Sequence, residues 1–363
     1  GIANEEYVRK YWHGVVIEPA PYVSIVEMML EEANVYLLKN TTVVSQTSEG
    51  NRLISVGLSN GETYTSTYFI DATDSGFLCR LCGCDLMYGQ ESQDVFGEPD
   101  APPCATDKIN GVTLIYRISG SDRHKWLHPP GEALSSCWWA MDFPLASIVQ
   151  YPNGDFNVNM LPTMEGNEFN AYSEIREAYT ECRKRVFSHF EHIKRTYPPY
   201  ADYGITWIAP SLGVRESHRV QTVYVLSELD ILAGLSGQRH DDCITIADHP
   251  MDTHGRSTQR GISPELKEPY GVPFRCMIPV HFENLLIASR AAGFSSLAAS
   301  SCRLSRTMMQ LGQAAGTAAW LAHTEGKTFP EINRQHLRSL LKSQHVQLEF
   351  PISTDLFEYL ANE

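Results

Sequence analysis

The 363-residue sequence predicts an α/β fold, and three stretches carry that prediction. Residues 285–288 (LLIA) form a short uncharged run of the kind found in buried strands of parallel sheets. Residues 289–301 are almost all small, and a helix is predicted from about Arg306. Residues 42–70 are rich in β-branched and aromatic side chains, as strands are. A strand followed by a small-residue crossing and a helix indicates a sheet covered by helices.

Residues 16–39 predict a helix and then a strand. The apolar side chains recur at helical spacing, and acids form the opposite face. The apolar set is Val23, Ile25, Val26, Met29 and Leu30; the acids are Glu27, Glu31 and Glu32. Residues 35–38 (VYLL) then predict a short buried strand.

Residues 42–76 predict antiparallel strands that end in a tight turn. Turns are expected at residues 49–50 (EG) and 60–61 (NG), and an alternating strand at residues 63–70. The strand runs into DATDSG, residues 71–76, whose small side chains let another molecule approach the backbone. Asp71 has two interpretations, a cofactor contact or a turn-forming residue.

The predicted helix after Arg306 has a nearly side-chain-free face. Its small residues are Gly312, Ala314, Ala315, Gly316, Ala318 and Ala319. They predict either a tightly packed helix against a sheet or a helix that lies flush against a flat partner. The free N–H groups and the dipole at the helix start suit an anionic or electron-rich group.

Residues 311–319 (LGQAAGTAA) resemble the C-terminal flavin-binding motif of the FAD-dependent oxidoreductases that group with glutathione reductase and succinate dehydrogenase. Residues 70–73 (IDAT), 213–216 (GVRE) and 273–279 (PFRCMIP) match other motifs of this family. Residues 248–254 resemble a further element, with Asp252 and His254 in register. Ser289 and His218 depart from the family pattern, where glycine and arginine are usual. The resemblance covers most of residues 15–95 and 200–325.

The resemblance implies an incomplete Rossmann-like FAD-binding domain with an inserted mixed α+β substrate domain. Residues 1–84 would be the later part of the first FAD-binding half, 85–205 the substrate domain, 206–325 the return of the FAD-binding domain, and 326–363 a helical tail. The family's opening strand, G-x-G-x-x-G and helix are not present in this sequence. A fragment, a segment from another polypeptide, and a lost flavin are the three explanations.

The resemblance also implies the site residues and the cofactor, FAD. Cofactor contacts are expected at Val44, Ala72, Thr73, Gly76, Arg290, Arg303, Arg306, Thr307 and Met308. The start of the helix at Thr307 and Met308 is expected to face the flavin O2, because a helix dipole stabilises a reduced-flavin anion. Arg303 and Arg306 would add positive charge there, or either would pair with a surface acid. No metal site is predicted.

Candidate catalytic residues are His254, Arg215 and Asp252. His254 and His218 could transfer protons, since imidazole titrates near neutrality, and structural hydrogen bonding is the alternative for His254. Arg215 and Arg219 could anchor a carboxylate or polyhydroxyl substrate, because a guanidinium donates in a fork. They could equally hold the inserted domain against the FAD-binding domain.

Two clusters have a structural and a functional interpretation. Residues 79–84 (CRLCGC) contain C-x-x-C, but a zinc site needs four ligands, so small structural hydrophobes are favoured. Core packing is favoured over a ring-binding pocket for the tryptophans Trp126, Trp138 and Trp139.

Bulk properties limit the partners. The net charge of −14 argues against nucleic acid and anionic membranes, and no apolar run approaches the ~20 residues of a spanning helix. Nine cysteines without framework spacing and no visible signal peptide predict a soluble cytoplasmic protein. A small-molecule substrate is expected, with the absent N-terminal segment or a homo-oligomer as further partners.

The predicted reaction is hydride transfer between FAD and an organic substrate, hydroxylated or sugar-like. The main alternative is a flavin-free fragment or a partner-dependent subunit that is inactive alone. A carbohydrate-binding module is a third hypothesis, which rests only on the tryptophans.

Overall fold

The computed structural model describes residues 17–120, 125–129, 131, 147–160, 162–166, 174–253 and 265–362. The described helices are α1 Pro19–Glu32, α2 Phe77–Leu81, α3 Gln93–Phe96, α4 Ile175–Thr196, α5 Glu228–Gly237, α6 Ser296–Ser301, α7 Ser305–Glu325, α8 Arg334–Ser343 and α9 Thr354–Asn362. The described strands are β1 Val43–Glu49, β2 Arg52–Leu58, β3 Thr63–Thr65, β4 Phe69–Asp71, β5 Leu86–Met87, β6 Tyr116–Gly120, β7 Ser147–Gln150, β8 Phe156–Asn159, β9 Tyr203–Ile208, β10 Arg219–Val220, β11 Cys243–Ala247, β12 Tyr270–Pro273 and β13 Leu285–Ile287. The mixture of helices and strands confirms the predicted α/β class.

The chain divides into two compact units. One comprises residues 1–41 and 111–214, and the other residues 42–110 and 215–363. The four-part division predicted from the sequence stays a prediction beside these two units. No helix among the described residues is long and apolar enough to cross a membrane.

The first unit is built on a four-stranded antiparallel sheet in the order β7-β8-β6-β9. Helix α4 contributes Val186, Phe190 and Ile193 to one hydrophobic core with Tyr116 and Ile118 of β6. Alternate residues of a strand share one face, which is why Tyr116 and Ile118 both point into this core.

The helix predicted within residues 17–40 is confirmed, whereas residues 35–38 are neither a strand nor buried as predicted. Helix α1 forms as predicted, but none of its residues is buried, and Val23, Ile25 and Met29 are each at least half exposed. Residues 35–38 form no strand, and Tyr36 is 75% exposed. Strand formation and burial both need a neighbour, and no described strand pairs with residues 35–38.

The second unit contains the strand pair that organises the candidate site. β4 and β13 run parallel, with Leu285 opposite Phe69 and Ile287 opposite Asp71. β1, β2 and β3 form the antiparallel meander that the turns at residues 49–50 and 60–61 predicted. The single strand predicted at residues 63–70 is wrong in one respect, because it is divided into β3 and β4.

Helix α7 begins within one residue of the predicted start and has two faces. Ala314, Ala315 and Ala318 are fully buried in the hydrophobic core. Gly312 and Gly316 face open space, since a Cβ built on either would meet no heavy atom within 4 Å. The alanines therefore pack the helix against the protein, and the glycines do not take part in that packing.

Candidate functional site

The carboxyl ends of β4 and β13 bring together residues predicted to contact the cofactor. The Ala288 N–H donates to the Asp71 carbonyl at 2.8 Å, which continues the strand pairing beyond Ile287. Ala72 and Thr73 are exposed immediately after β4, and Arg290 follows β13 by three residues. Ends of neighbouring parallel strands form the usual ligand edge of an α/β sheet.

The turn after β4 is built on Asp71. Its carboxylate accepts hydrogen bonds from the Thr73 N–H at 2.9 Å, the Thr73 hydroxyl at 2.7 Å and the Cys79 N–H at 2.9 Å. Gly76, at the start of α2, has φ of +60°, and a Cβ there would lie 3.0 Å from Val220 Cγ2. Asp71 is thus a turn-forming residue, and glycine is required at position 76.

The start of α7 presents N–H groups without a side-chain cap. The N-cap residue is Leu304, whose side chain has no hydrogen-bond acceptor, whereas Ser295 caps α6 by accepting from the Ala298 N–H at 3.1 Å. Thr307 is 2% exposed, and Met308 packs against the core. A 21-residue helix ending in uncapped N–H groups offers a partial positive charge to a ligand.

Directly before this helix, Arg303 forms a buried ion pair with Asp252. Its Nη2 donates to the Asp252 Oδ2 at 3.0 Å, and the two side chains are 10% and 9% exposed. The Arg303 Nε is buried and has no hydrogen-bond partner in the part of the chain that the structure describes. Burial lowers the pKa of Arg303, and the charge of Arg290 lowers it further.

Arg215 belongs to the same cluster. Burial lowers the pKa of Arg215 to about 9, and repulsion from Arg303 and Arg290 adds to the shift, while Asp252 opposes it. The base-rich cluster is defined here as Arg215, His249, Asp252, Arg290 and Arg303. It unites two predicted catalytic residues, Arg215 and Asp252, with two predicted cofactor residues, Arg290 and Arg303.

His249 is the member of this cluster that sequence reasoning missed. Its Nδ1 lies 2.6 Å from the Pro250 carbonyl oxygen. A carbonyl only accepts, so Nδ1 carries the hydrogen and Nε2 keeps a lone pair. Burial lowers the pKa of His249, and Arg303 lowers it further. A neutral imidazole with a free lone pair can accept a proton.

The signal for His249 was present but not distinctive. It lies within residues 248–254, where Asp252 and His254 were singled out from their family register. His254 lies outside the described residues. The hydrogen bond that fixes the tautomer of His249 depends on backbone geometry, which residue spacing does not reveal.

Other predicted residues lie apart from this cluster. Arg306 pairs with Asp248, and both side chains are more than half exposed, which matches the surface-pair alternative. Val44 is 55% exposed on β1. The His218 ring lies 4.9 Å from the Tyr88 ring between centroids, with the two planes tilted by 38°, and burial lowers the pKa of His218.

Arg219 lies in a second, acid-rich cluster, defined here as Glu91, Glu98, Glu216, Arg219 and Glu228. The Arg219 side chain is 0% exposed and donates to Glu216 at 2.7 Å and to Glu91 at 2.8 Å. A third bond goes to the Gly89 carbonyl at 2.6 Å. Arg219 therefore serves internal carboxylates and is not presented to a substrate.

The acid-rich cluster also holds the starts of two helices. The Ser296 N–H of α6 donates to Glu91 at 2.9 Å, and the Glu228 N–H of α5 donates to Glu98 at 2.7 Å. Burial raises the pKa of Glu228 to about 7, and a hydrogen bond with the Asp100 side chain adds to the shift. A carboxyl that keeps its proton near neutrality can share it with a second carboxylate.

The cysteines of residues 79–84 are free thiols. The pKa of Cys79 is raised by its hydrogen bond with Cys84 and by burial, and burial raises the pKa of Cys82 to about 12. Raised values keep these thiols protonated and weakly reactive. Among the described residues, no group of three or more His, Cys, Asp or Glu side chains could hold a metal ion.

Comparison with known proteins assigns the chain to a family. A model of the family described as FAD dependent oxidoreductase matches residues 3–341. No curated protein matches the chain.

Three solved structures are similar at low identity. The myxobacterial chondrochloren halogenase CndH, described as an FAD-dependent halogenase, has a TM-score of 0.39 at 12% identity, with 91% of this chain and 56% of that chain covered. OxyS anhydrotetracycline hydroxylase from Streptomyces rimosus has a TM-score of 0.37 at 11% identity, with 91% of this chain and 46% of that chain covered. L-proline dehydrogenase from P. horikoshii has a TM-score of 0.32 at 13% identity, with 90% of this chain and 60% of that chain covered.

The chain spans about half the length of these solved structures. At these TM-scores the structural similarity carries no argument, and the assignment rests on the family model, which matches almost the whole chain. That match confirms the family expected from residues 311–319 and its cofactor, FAD. The chain belongs to the FAD dependent oxidoreductase family.

Proposed function

We propose that this protein transfers a hydride between FAD and a hydroxylated organic substrate at the base-rich cluster. The observation that carries the proposal is the placement of Arg303: its guanidinium is buried directly before the uncapped start of α7, and its Nε has no hydrogen-bond partner among the described residues. FAD, when bound, accepts the hydride with its two electrons. The protein's own groups have to hold the cofactor, orient the substrate and move a proton.

The residues around the start of α7 fit the electron-rich end of a flavin. The N–H groups of the first turn and the Arg303 guanidinium supply hydrogen-bond donors and positive charge together. Such donors stabilise a developing anion without reorganising, because they are fixed by the fold. Ala72, Thr73 and Gly76 would contact the cofactor at the neighbouring strand ends, and Thr307 and Met308 at the helix start.

His249 is the proton acceptor of the proposal. Oxidation of an alcohol releases a hydride from carbon and a proton from oxygen. The lone pair on His249 Nε2 would take that proton, since the lowered pKa keeps the imidazole neutral near pH 7. The Nδ1–H bond to Pro250 would hold the ring in one tautomer throughout.

An absorbance spectrum before and after addition of FAD tests cofactor binding. Bound flavin is expected to give bands near roughly 370 and 450 nm in stoichiometric amount. In the Arg303→Met variant the reduction potential of bound FAD should become more negative, because a positive charge near the reduced anion is lost. An unchanged potential would remove Arg303 from the flavin site, and Arg52→Met provides a charge-matched control at a distant ion pair.

The second candidate is a chain that holds FAD only with a further polypeptide segment. It is favoured by the sheet of β4 and β13, in which the structure describes two strands, whereas parallel sheets are ordinarily larger and covered on both faces. Helix α1, with no buried residue, offers an apolar face for such a segment. A chain that stays colourless with added FAD would support this candidate over the first.

The remaining partners are proposals as well. The predictions from the sequence are a small-molecule substrate, no nucleic-acid or membrane partner, a homo-oligomer and a cytoplasmic location.

Trp126 contacts the first unit's sheet through a hydrogen bond from its Nε1–H to the Ser119 carbonyl at 3.2 Å, as in core packing.

A further inference from the structure

We propose that Ser301 and Tyr270 hold His249 in position as the proton acceptor. This inference rests on the proposed function and adds two positioning residues, which act on His249 without touching the substrate. Ser301 and Tyr270 are buried, with 1% and 0% of their surface exposed. Their hydroxyl groups therefore need partners inside the protein.

A chain of two hydrogen bonds joins the three residues. The Ser301 Oγ lies 2.5 Å from the backbone carbonyl oxygen of His249 and 2.6 Å from the Tyr270 hydroxyl oxygen. A carbonyl oxygen only accepts, so the Ser301 hydroxyl donates to it, and the Tyr270 hydroxyl donates to Ser301 in turn. The direction of both bonds follows from the one group that cannot donate.

The fold brings these residues together from three segments. In the antiparallel pair of β11 and β12, Tyr270 lies opposite Ala247, which is two residues before His249. Ser301 is the last residue of α6, a helix whose residues are all buried and whose start is capped by Ser295. A strand pair and a buried helix therefore fix both hydroxyl groups relative to the segment that carries His249.

Holding the His249 carbonyl also constrains the imidazole ring, because proline follows. The His249 Nδ1–H donates to the Pro250 carbonyl oxygen at 2.6 Å. The His249 carbonyl and the Pro250 nitrogen share one planar peptide group, and the pyrrolidine ring fixes φ of Pro250 at about −65°. Only ψ of Pro250 then separates the carbonyl that Ser301 holds from the carbonyl that holds the ring. The bond from Ser301 thus acts on the tautomer of His249 and on the direction of its Nε2 lone pair.

The surroundings of His249 make its position measurable. Burial lowers the pKa of His249 and Arg303 lowers it further, with Arg306 acting in the same direction, while the bond to Pro250 and the charge of Asp252 oppose them. A ring displaced toward solvent would lose the effect of burial, which is the largest, so its pKa would rise toward the ordinary histidine value. The titration of His249 therefore reports whether the ring is held in place.

The test is a pH titration of the full chain, made with isotope-labelled histidine and followed by NMR. The His249→Gln variant identifies the signal of His249, and the shifts of the two ring nitrogens report its tautomer. Wild-type His249 should carry its hydrogen on Nδ1. Ser301→Ala should shift the titration midpoint of His249 upward and weaken the preference for this tautomer. Tyr270→Phe should cause a smaller shift in the same direction, because the bond from Ser301 remains.

Ser300→Ala is the matched control. Ser300 is buried in the same helix, but its hydroxyl donates to the Leu297 carbonyl at 2.7 Å and not to His249. This variant should lower the free energy of unfolding, as Ser301→Ala should, and leave the titration of His249 unchanged. Urea unfolding of both variants separates a general loss of stability from a loss of position.

Two results would overturn the inference. Either His249 titrates in Ser301→Ala and Tyr270→Phe as it does in the wild type, or Ser300→Ala shifts its midpoint as much as Ser301→Ala does. If Ser301→Ala fails to fold, the comparison of Tyr270→Phe with Ser300→Ala decides. The titration needs no cofactor, so absence of a bound-flavin spectrum bears on the proposed function alone.

Discussion

The acid-rich and base-rich clusters both contain buried arginine, but their charge balance is opposite. Arg219 is fully buried and bonded to two carboxylates and a carbonyl, so its charge is offset within the protein. Arg303 donates a hydrogen bond to one carboxylate, that of Asp252, and the charges of Arg290 and Glu216 also act on it. The two arginines therefore differ in the number of carboxylates that they bind and not in their Nε atoms, since the buried Nε of each has no hydrogen-bond partner among the described residues.

The largest expected change in the free energy of unfolding comes from a substitution in the acid-rich cluster. Arg219→Met should lower the free energy of unfolding by about 3–5 kcal/mol, because it leaves Glu91 and Glu216 buried without their cation. Urea unfolding at pH 7 measures it, with Arg52→Met as the surface control. A loss below about 1 kcal/mol would mean that Arg219 is not the group that holds these carboxylates.

The next effect concerns the pH dependence of the same cluster. The pKa of Glu228 is raised to about 7 in the folded state, so the folded protein favours the protonated acid. That contribution is complete below the ordinary glutamate pKa and is lost as the pH rises through about 7. Glu228→Gln should therefore raise the melting temperature at pH 8 and change it little at pH 4.5. The exposed Glu27→Gln is the control, and equal shifts at both pH values would contradict the argument.

A smaller effect is expected on the base-rich side. Arg303→Met should lower the free energy of unfolding less than Arg219→Met, because Asp252 keeps the positive charge of Arg215 near it and the repulsion between Arg303 and Arg290 is relieved. Urea unfolding beside Arg219→Met gives the direct comparison. If Arg303→Met destabilised as much as Arg219→Met, the two clusters would have the same architectural role.

The smallest effect is the titration of His249. Its pKa is lowered in the folded state by burial and by Arg303, so folding favours the neutral imidazole. Stability is full above the ordinary histidine pKa and falls as the pH drops through it toward the lowered value. His249→Gln should reduce this loss below about pH 6.5 in thermal melts. A variant whose melting temperature falls as steeply as that of the wild type would contradict it.

Local sequence patterns predicted correctly the elements whose formation depends on residues close together in the chain. The meander of β1–β3 followed from the turns at residues 49–50 and 60–61, and α7 begins within one residue of its predicted start at about Arg306. Residues 35–38 failed because an apolar run predicts a strand only when another strand pairs with it. The amphipathic spacing of α1 predicted the helix correctly, and none of the helix residues is buried.

The candidate site likewise contains residues that the sequence predicted and one that it did not. Arg215, Asp252, Arg290 and Arg303 were predicted from motifs far apart in sequence, and the structure brings them into one cluster. Sequence spacing could not separate them from Arg219, which occurs four residues after Arg215 in the same motif. Nor could it find His249, whose role depends on a backbone carbonyl.

The sequence by itself determined the α/β class, the family and the residue types that supply donors and positive charge. Those properties follow from periodicity and from motifs read along a continuous chain. Only the tertiary structure decided which carboxylates bind each buried arginine and which tautomer His249 adopts. These depend on burial and on contacts between distant segments, because the cost of an unpaired charge or donor arises only once water is removed from it.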